Sequence, residues 1–246
     1  MVMQNSWKLQ SIDKEFILKK SDLHIWRTRV SDNIDNLNNY WHLLSQDEQI
    51  RAQEFYFVRD KNRYIVARAI LRKLIAGYIG ISPKNILFGY TEYGKPYLIL
   101  PNDNQRLKFN LSHSRDAIVY AITKNIDIGV DIESVNKDFV IEDIIQHSCS
   151  EQEQSLLKNL FKNDKYNLFY EIWVVKEAFV KAMGVGLSFD LKDIYINFSK
   201  NKLISITNLL SNNTMCWTGA LFSAYNGFYS AFATKNPVKR VCFFDL

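Results

Sequence analysis

Apolar residues recur at three- and four-residue spacing from 61 to 79, where Tyr64, Ile65, Ala67, Ile70, Leu71, Leu74, Ile75 and Tyr78 form a stripe that stops near Gly80 and Pro83. This spacing predicts a long amphipathic helix with a glycine at its end. A second helix is expected over 166–183, ending at Gly184. A shorter one at 150–161 opens with a Ser cap and an acidic first turn, and Gln46 to Phe57 is helical in composition with its charges on one side. Alternation at 23–30 and apolar runs near 85–90, 95–100, 107–111, 117–123 and 126–134 predict strands. They are separated by TEYG, the PNDN turn and short polar breaks, and the chain returns to strands from 194 onward.

Each half therefore carries a long helix, a glycine-punctuated turn and strands. Laying Tyr64 on Trp173 aligns Ile65 with Val174, Ala69 with Ala178 and Ile70 with Phe179. Any two amphipathic helices share such positions, so the pattern alone leaves a duplication open.

Composition narrows the class. The 246 residues are 47% hydrophobic and hold only 9 Gly and 4 Pro, which excludes disorder and leaves no long flexible linker. A net charge of +5 favours anionic partners, but the basic residues are spread along the chain rather than clustered as in a dedicated nucleic-acid binder, so no nucleic acid is expected. Cys149, Cys216 and Cys242 are odd in number and widely spaced, which points to reduced, cytoplasmic thiols and to no zinc pattern. The first ten residues lack the features of a signal peptide. The uncharged stretch 203–234 is interrupted by Asn, Ser and Thr, so no membrane span is expected either.

Four segments could carry chemistry. In IGVDIE (128–133), Asp131 and Glu133 are two apart on a strand and face the same way; like charges so close call for a cation, and oxygen-only ligands suit Mg2+. The mundane alternative is a pair facing solvent. In WVVKEAFVKAMG (173–184), Trp173, Glu177 and Lys181 share one helical face, either as a surface ion pair or, since their neighbours are apolar nearly all round, as charges of a buried helix that need partners. FNLSHS (109–114) is read as a strand delivering Asn110, Ser112 and His113 to a loop. Adjacent strand residues point to opposite faces, so donors to a phosphate fit better than a nucleophile-base pair. In YGKPYL (93–98), Gly94 and Pro96 fix a turn that holds Lys95 in place.

In this order, GKP, FNLSHS, IGVDIE and W-x-x-KEA-x-x-K-x-x-G-x-G resemble the phosphopantetheinyl transferases of the large, monomeric Sfp-like type, over about residues 45–200. The helical segment 45–74 also looks like the region that precedes GKP in that family. The resemblance implies an α+β fold of two similar α/β halves related by a pseudo-twofold: residues 1–124 on the coenzyme A nucleotide side, and 125–246 with the metal-binding carboxylates and catalytic helix. It implies a holo-[acyl-carrier-protein] synthase type enzyme. Such an enzyme moves 4'-phosphopantetheine from coenzyme A to a serine of an acyl or peptidyl carrier protein and releases adenosine 3',5'-bisphosphate.

By the same resemblance Asp131, Glu133 and Glu177 hold Mg2+, with Mn2+ an alternative; Glu177 doubles as base for the serine proton and Lys181 stabilises phosphate charge. Ser112 and His113 contact the coenzyme A phosphates, Lys95 the nucleotide, and Arg51, Arg59 and Arg63 are the candidates for the 3'-phosphate. Glu48 stands where some members carry lysine, which predicts a different arrangement of those contacts. Residues 136–149 are expected to shape the carrier docking surface. The competing readings are a Mg2+-dependent phosphohydrolase or nuclease using the same carboxylates on water, and a non-catalytic coenzyme A or carrier binder.

Overall fold

The structure, a computed structural model, describes residues 5–99, 107–136, 140–186, 189–198, 204–208 and 217–246. In chain order the elements are β1 (Trp7–Leu9), β2 (Asp22–Arg29), α1 (Leu37–Trp41), α2 (Gln46–Gln53), α3 (Val58–Ile79), β3 (Leu87–Tyr90), β4 (Pro96–Ile99), β5 (Leu107–Ser114), β6 (Ala117–Lys124) and β7 (Ile128–Ser134). They continue with α4 (Glu142–Ser148), α5 (Glu151–Lys158), α6 (Lys162–Met183), β8 (Ile194–Phe198), β9 (Ile204–Asn208), β10 (Trp217–Phe222), β11 (Phe228–Thr234) and β12 (Arg240–Asp245). The turn expected at PNDN, and Cys216, lie outside the described residues.

Two five-stranded sheets, ordered β1-β12-β2-β6-β5 and β7-β11-β10-β9-β8, lie between the two long helices. Even-numbered residues of β6 (Ile118, Tyr120, Ile122) pack with α3, whereas Ala117, Val119 and Ala121 pack against Ile128, Val130 and Ile132 of β7. The layers therefore run α3, sheet, sheet, α6. Strands covered on both faces read as continuous apolar runs, which is why AIVYAIT shows no alternation. The last strand, β12, pairs parallel to β2, so residues 240–245 complete the sheet of the N-terminal half and not that of 125–246.

The element order repeats. In each half a strand leads to a short helix with a Ser-x-x-Glu capping box, Ser45 with Glu48 and Ser150 with Glu153. A 22-residue helix follows, then a left-handed glycine, Gly80 or Gly184. Both glycines have φ near 70°, where a side chain is strained, so the sequence marks both helix ends reliably. These caps set the correspondence of the long helices at 104 residues, Gly80 with Gly184 and Arg72 with Lys176. Laying Tyr64 on Trp173 is thus out of register by five positions. A 3.6-residue period matches itself at many shifts, and only the caps choose one.

The repeated glutamates share a buried fate. Glu153 accepts from Lys176 Nζ at 2.5 Å, from its own cap at Ser150 N (2.8 Å) and from Ile196 N (3.1 Å). Glu48 accepts from the Nε atoms of Arg68 and Arg72, both at 2.6 Å. Glu48, which stands where some family members carry lysine, is enclosed and neutralised by two guanidinium groups.

Candidate active site

Helix α6 crosses β7 at Gly129. A Cβ there would lie 1.9 Å from Ala178 O and 2.5 Å from Ala182 N, both backbone atoms, so only glycine permits this approach. Alternation then puts Asp131 and Glu133 on the same face of β7, under the helix. Glu177 and Lys181, one residue before each of those two alanines, sit with Trp173 on the less buried stripe of α6. The pair and the stripe predicted by spacing therefore meet.

Asp131 is 2% exposed. Its Oδ1 accepts from Lys181 Nζ at 2.6 Å and from Ser112 Oγ at 2.8 Å, while Oδ2 is buried without a partner. Glu133 accepts from Ser114 Oγ at 3.0 Å. Burial pushes the Glu133 carboxyl up to about 7; Asp131 and Glu177 add to the rise, against the Ser114 bond and Lys181. Glu177 is raised as well, by burial and then by Asp131, with Lys181 opposing.

The three acids therefore feel one another, but among the described residues no three His, Cys, Asp or Glu side chains are gathered closely enough to hold an ion. Lys181 supplies the counter-charge of Asp131, and Glu133 is drawn to Ser114. The donor set still suits a hard divalent cation. It is all oxygen, it includes the orphaned Asp131 Oδ2, and the carboxyls of Glu133 and Glu177 are raised first by burial and then by the charge of Asp131, a repulsion that a cation would relieve.

FNLSHS does not end in a loop; β5 continues through Ser114. Its even residues face the second half and its odd residues face α3. Ser112 thus belongs to the acid cluster, whereas His113 lines a cavity of about 470 Å3 with Asp47, Arg51, Tyr64, Arg68 and Tyr90. The ring is open to solvent yet walled by protein, and its pKa is lowered by that desolvation, then by Arg63. Arg63 pairs with Asp60 at 2.7 Å. Arg51 pairs with Glu54 at 2.6 Å on the cavity wall. Arg59 is 81% exposed, lies over Phe57 and does not line that cavity. Lys95 is held by its hairpin as expected, but its ammonium donates to Ala182 O (2.6 Å) and Ile128 O (3.2 Å), and burial lowers its pKa to about 8.

Comparison with known proteins decides the class. The 4'-phosphopantetheinyl transferase superfamily matches residues 127–233, and the 4'-phosphopantetheinyl transferase N-terminal family matches 31–125. The chain is 31% identical over 187 residues to the 4'-phosphopantetheinyl transferase HetI of Nostoc sp., covering 76% of this chain and 78% of that one. The chain belongs to the 4'-phosphopantetheinyl transferases. It is 32% identical to the 4'-phosphopantetheinyl transferase of Bacillus subtilis, covering 66% of this chain and 70% of that one. The holo-(acyl-carrier-protein) synthase of Bacillus anthracis, solved in complex with coenzyme A (3',5'-ADP), overlaps 42% of this chain and 93% of its own, at 16% identity and a TM-score of 0.36.

As a phosphopantetheinyl transferase the chain is an enzyme, and among its described residues no helix is long and apolar enough to cross a membrane. Sequence reasoning missed four of its cleft residues. Arg68 reaches from Glu48 to Tyr90 Oη (3.0 Å) across the cavity, yet in sequence it is one more charge on a long helix. Tyr90 and Tyr64 gave no signal, because aromatics at strand ends and helix starts are common in any core. Ser114 was passed over beside Ser112 and His113; its even position on a longer strand would have found it.

Proposed function

We propose that this protein transfers the 4'-phosphopantetheine group of coenzyme A to a serine of an apo acyl or peptidyl carrier protein, releasing adenosine 3',5'-bisphosphate. It is read as a cytoplasmic monomer, with residues 1–124 holding the nucleotide and 125–246 the catalytic helix. The observation that carries the reading is the cluster of Asp131, Glu133, Glu177 and Lys181 at the boundary of the two halves, beside the cavity of Arg51, Arg68 and His113.

Asp131, Glu133 and Glu177 would hold Mg2+. When bound, the ion supplies positive charge that offsets the repulsion between three carboxylates and a diphosphate. The chain's own groups do the rest. Glu177, whose pKa is raised toward the working range of a base, takes the proton of the carrier serine as its oxygen attacks the β-phosphorus. The bond from that phosphorus to the bridging oxygen breaks, and the electron pair leaves with adenosine 3',5'-bisphosphate. Lys181, on a flexible stem, turns from Asp131 to a phosphate oxygen and donates there. Arg51 and Arg63, with His113, face the 3'-phosphate, and Ser112 the diphosphate. Residues 136–149, of which 137–139 lie outside the described residues, are assigned to the carrier surface.

The test is intact mass of an apo carrier protein after incubation with enzyme, coenzyme A and Mg2+. Gain of a phosphopantetheine unit is expected, falling about a hundredfold or more in rate for Glu177→Gln. Cleavage of coenzyme A without modification of any carrier would refute it.

A further inference from the structure

Three even residues of β5 bind β7 along a seam between the halves. Asn110 Oδ1 accepts from Val130 N at 2.9 Å, Ser112 Oγ donates to Asp131, and Ser114 Oγ donates to Glu133 and accepts from Ser134 N at 3.1 Å. Partners stay 19 or 20 residues apart along the ladder, so the strands run side by side in one direction. The two serines repeat one device: each hydroxyl donates to a carboxylate, for Ser114 at 3.0 Å with the Ser134 hydroxyl a longer second acceptor at 3.4 Å, and receives an N–H, from Lys181 Nζ at 2.9 Å for Ser112 and from the Ser134 backbone for Ser114.

A hydroxyl fixed by a backbone donor cannot swing freely, so its proton has a set direction. We infer that Ser114 is a positioning residue for Glu133: the first half of the chain aims a metal-binding carboxylate carried by the second. The acid pair on β7 is then incomplete without β5. Groups that orient a ligand in this way matter to metal affinity about as much as tenfold to a hundredfold. This inference rests on the proposed use of Mg2+ by Asp131, Glu133 and Glu177.

The experiment titrates Mg2+ into the full-length protein without substrate, following heat of binding and the thermal midpoint, for the native chain, Ser114→Ala and Ser114→Thr. Ser114→Ala is expected to raise the Mg2+ dissociation constant about tenfold. The Michaelis constant for coenzyme A at saturating Mg2+ should stay within about twofold, and the metal-free midpoint should change little. Ser114→Thr, which keeps the hydroxyl, should restore native affinity. An unchanged dissociation constant in Ser114→Ala, or a loss that threonine fails to rescue, overturns the assignment while leaving the proposed transfer intact. A native chain that transfers phosphopantetheine without any Mg2+ response overturns the metal reading and the assignment together, whereas one that binds Mg2+ but transfers nothing overturns only the proposed reaction.

Discussion

Lys176→Met should be among the most destabilising single changes in the chain, although the residue looks like an ordinary helical lysine. Its ammonium is 0% exposed and uses all three protons, on Glu153 Oε2 (2.5 Å), Ser148 O (2.8 Å) and Leu191 O (2.9 Å). Burial lowers its pKa and Glu153 opposes that, as expected of a charge held in a low-dielectric site by one counter-ion. Methionine keeps the volume but leaves an unpaired carboxylate and two carbonyls short of a donor. Removing one partner of a buried pair costs about 3–5 kcal/mol. Glu153 retains two backbone donors, Ser150 N and Ile196 N, which favours the lower part of that range. At roughly 2–4 °C per kcal/mol for a chain of this size, the midpoint should fall by on the order of 10 °C. The assay is urea unfolding followed by circular dichroism at constant slope, for Lys176→Met, Glu153→Gln and the double variant. The double variant should lose less than the sum of the singles, because it strands no charge. A loss below about 1 kcal/mol for Lys176→Met, or strict additivity, would refute the argument.

Gly129→Ala should cost at least about 1–3 kcal/mol, since its methyl meets helix backbone and α6 must retreat. Transfer should fall more than stability does, because Glu177 and Lys181 move with that helix; native kinetics would count against the approach. His24 is 5% exposed, bonds Tyr78 Oη, and has a pKa lowered by burial from 6.5 to about 4. A base depressed on folding binds its proton better unfolded, so stability is full above the unfolded pKa and is lost as pH falls from 6.5 to about 4. The loss is about 3 kcal/mol, and His24→Gln should flatten that part of the profile. Lys95→Ala should raise the Michaelis constant for coenzyme A with little change in kcat. It should also lower the thermal midpoint, as two carbonyls lose their donor; an unchanged Michaelis constant would leave Lys95 a strut between hairpin and α6.

The legibility of the site depended on how locally each feature is determined. Asp131 with Glu133, and Glu177 with Lys181, could be paired from spacing because strand and helix periods fix faces without reference to the rest of the fold. Arg68, Lys176 and Glu48 could not be sorted. Whether a charge on a helix is buried depends on what lies against that face, and a one-dimensional pattern does not record it. Ser112 and His113 were correctly parted to opposite faces, but extending β5 to Ser114 needed the pairing with β6, in which Ser114 lies opposite Ala117.

By itself the sequence determined the two long helices, their glycine caps, most of the strands and the order of four chemical segments, all of which follow from local periodicity and backbone conformation. Only the tertiary structure decided the register of the repeat, the return of β12 to the first sheet, and the seam where β5 serves the acids of β7. Those are contacts between residues far apart in the chain, where the choice among many sterically allowed pairings is made by packing two sheets between two helices.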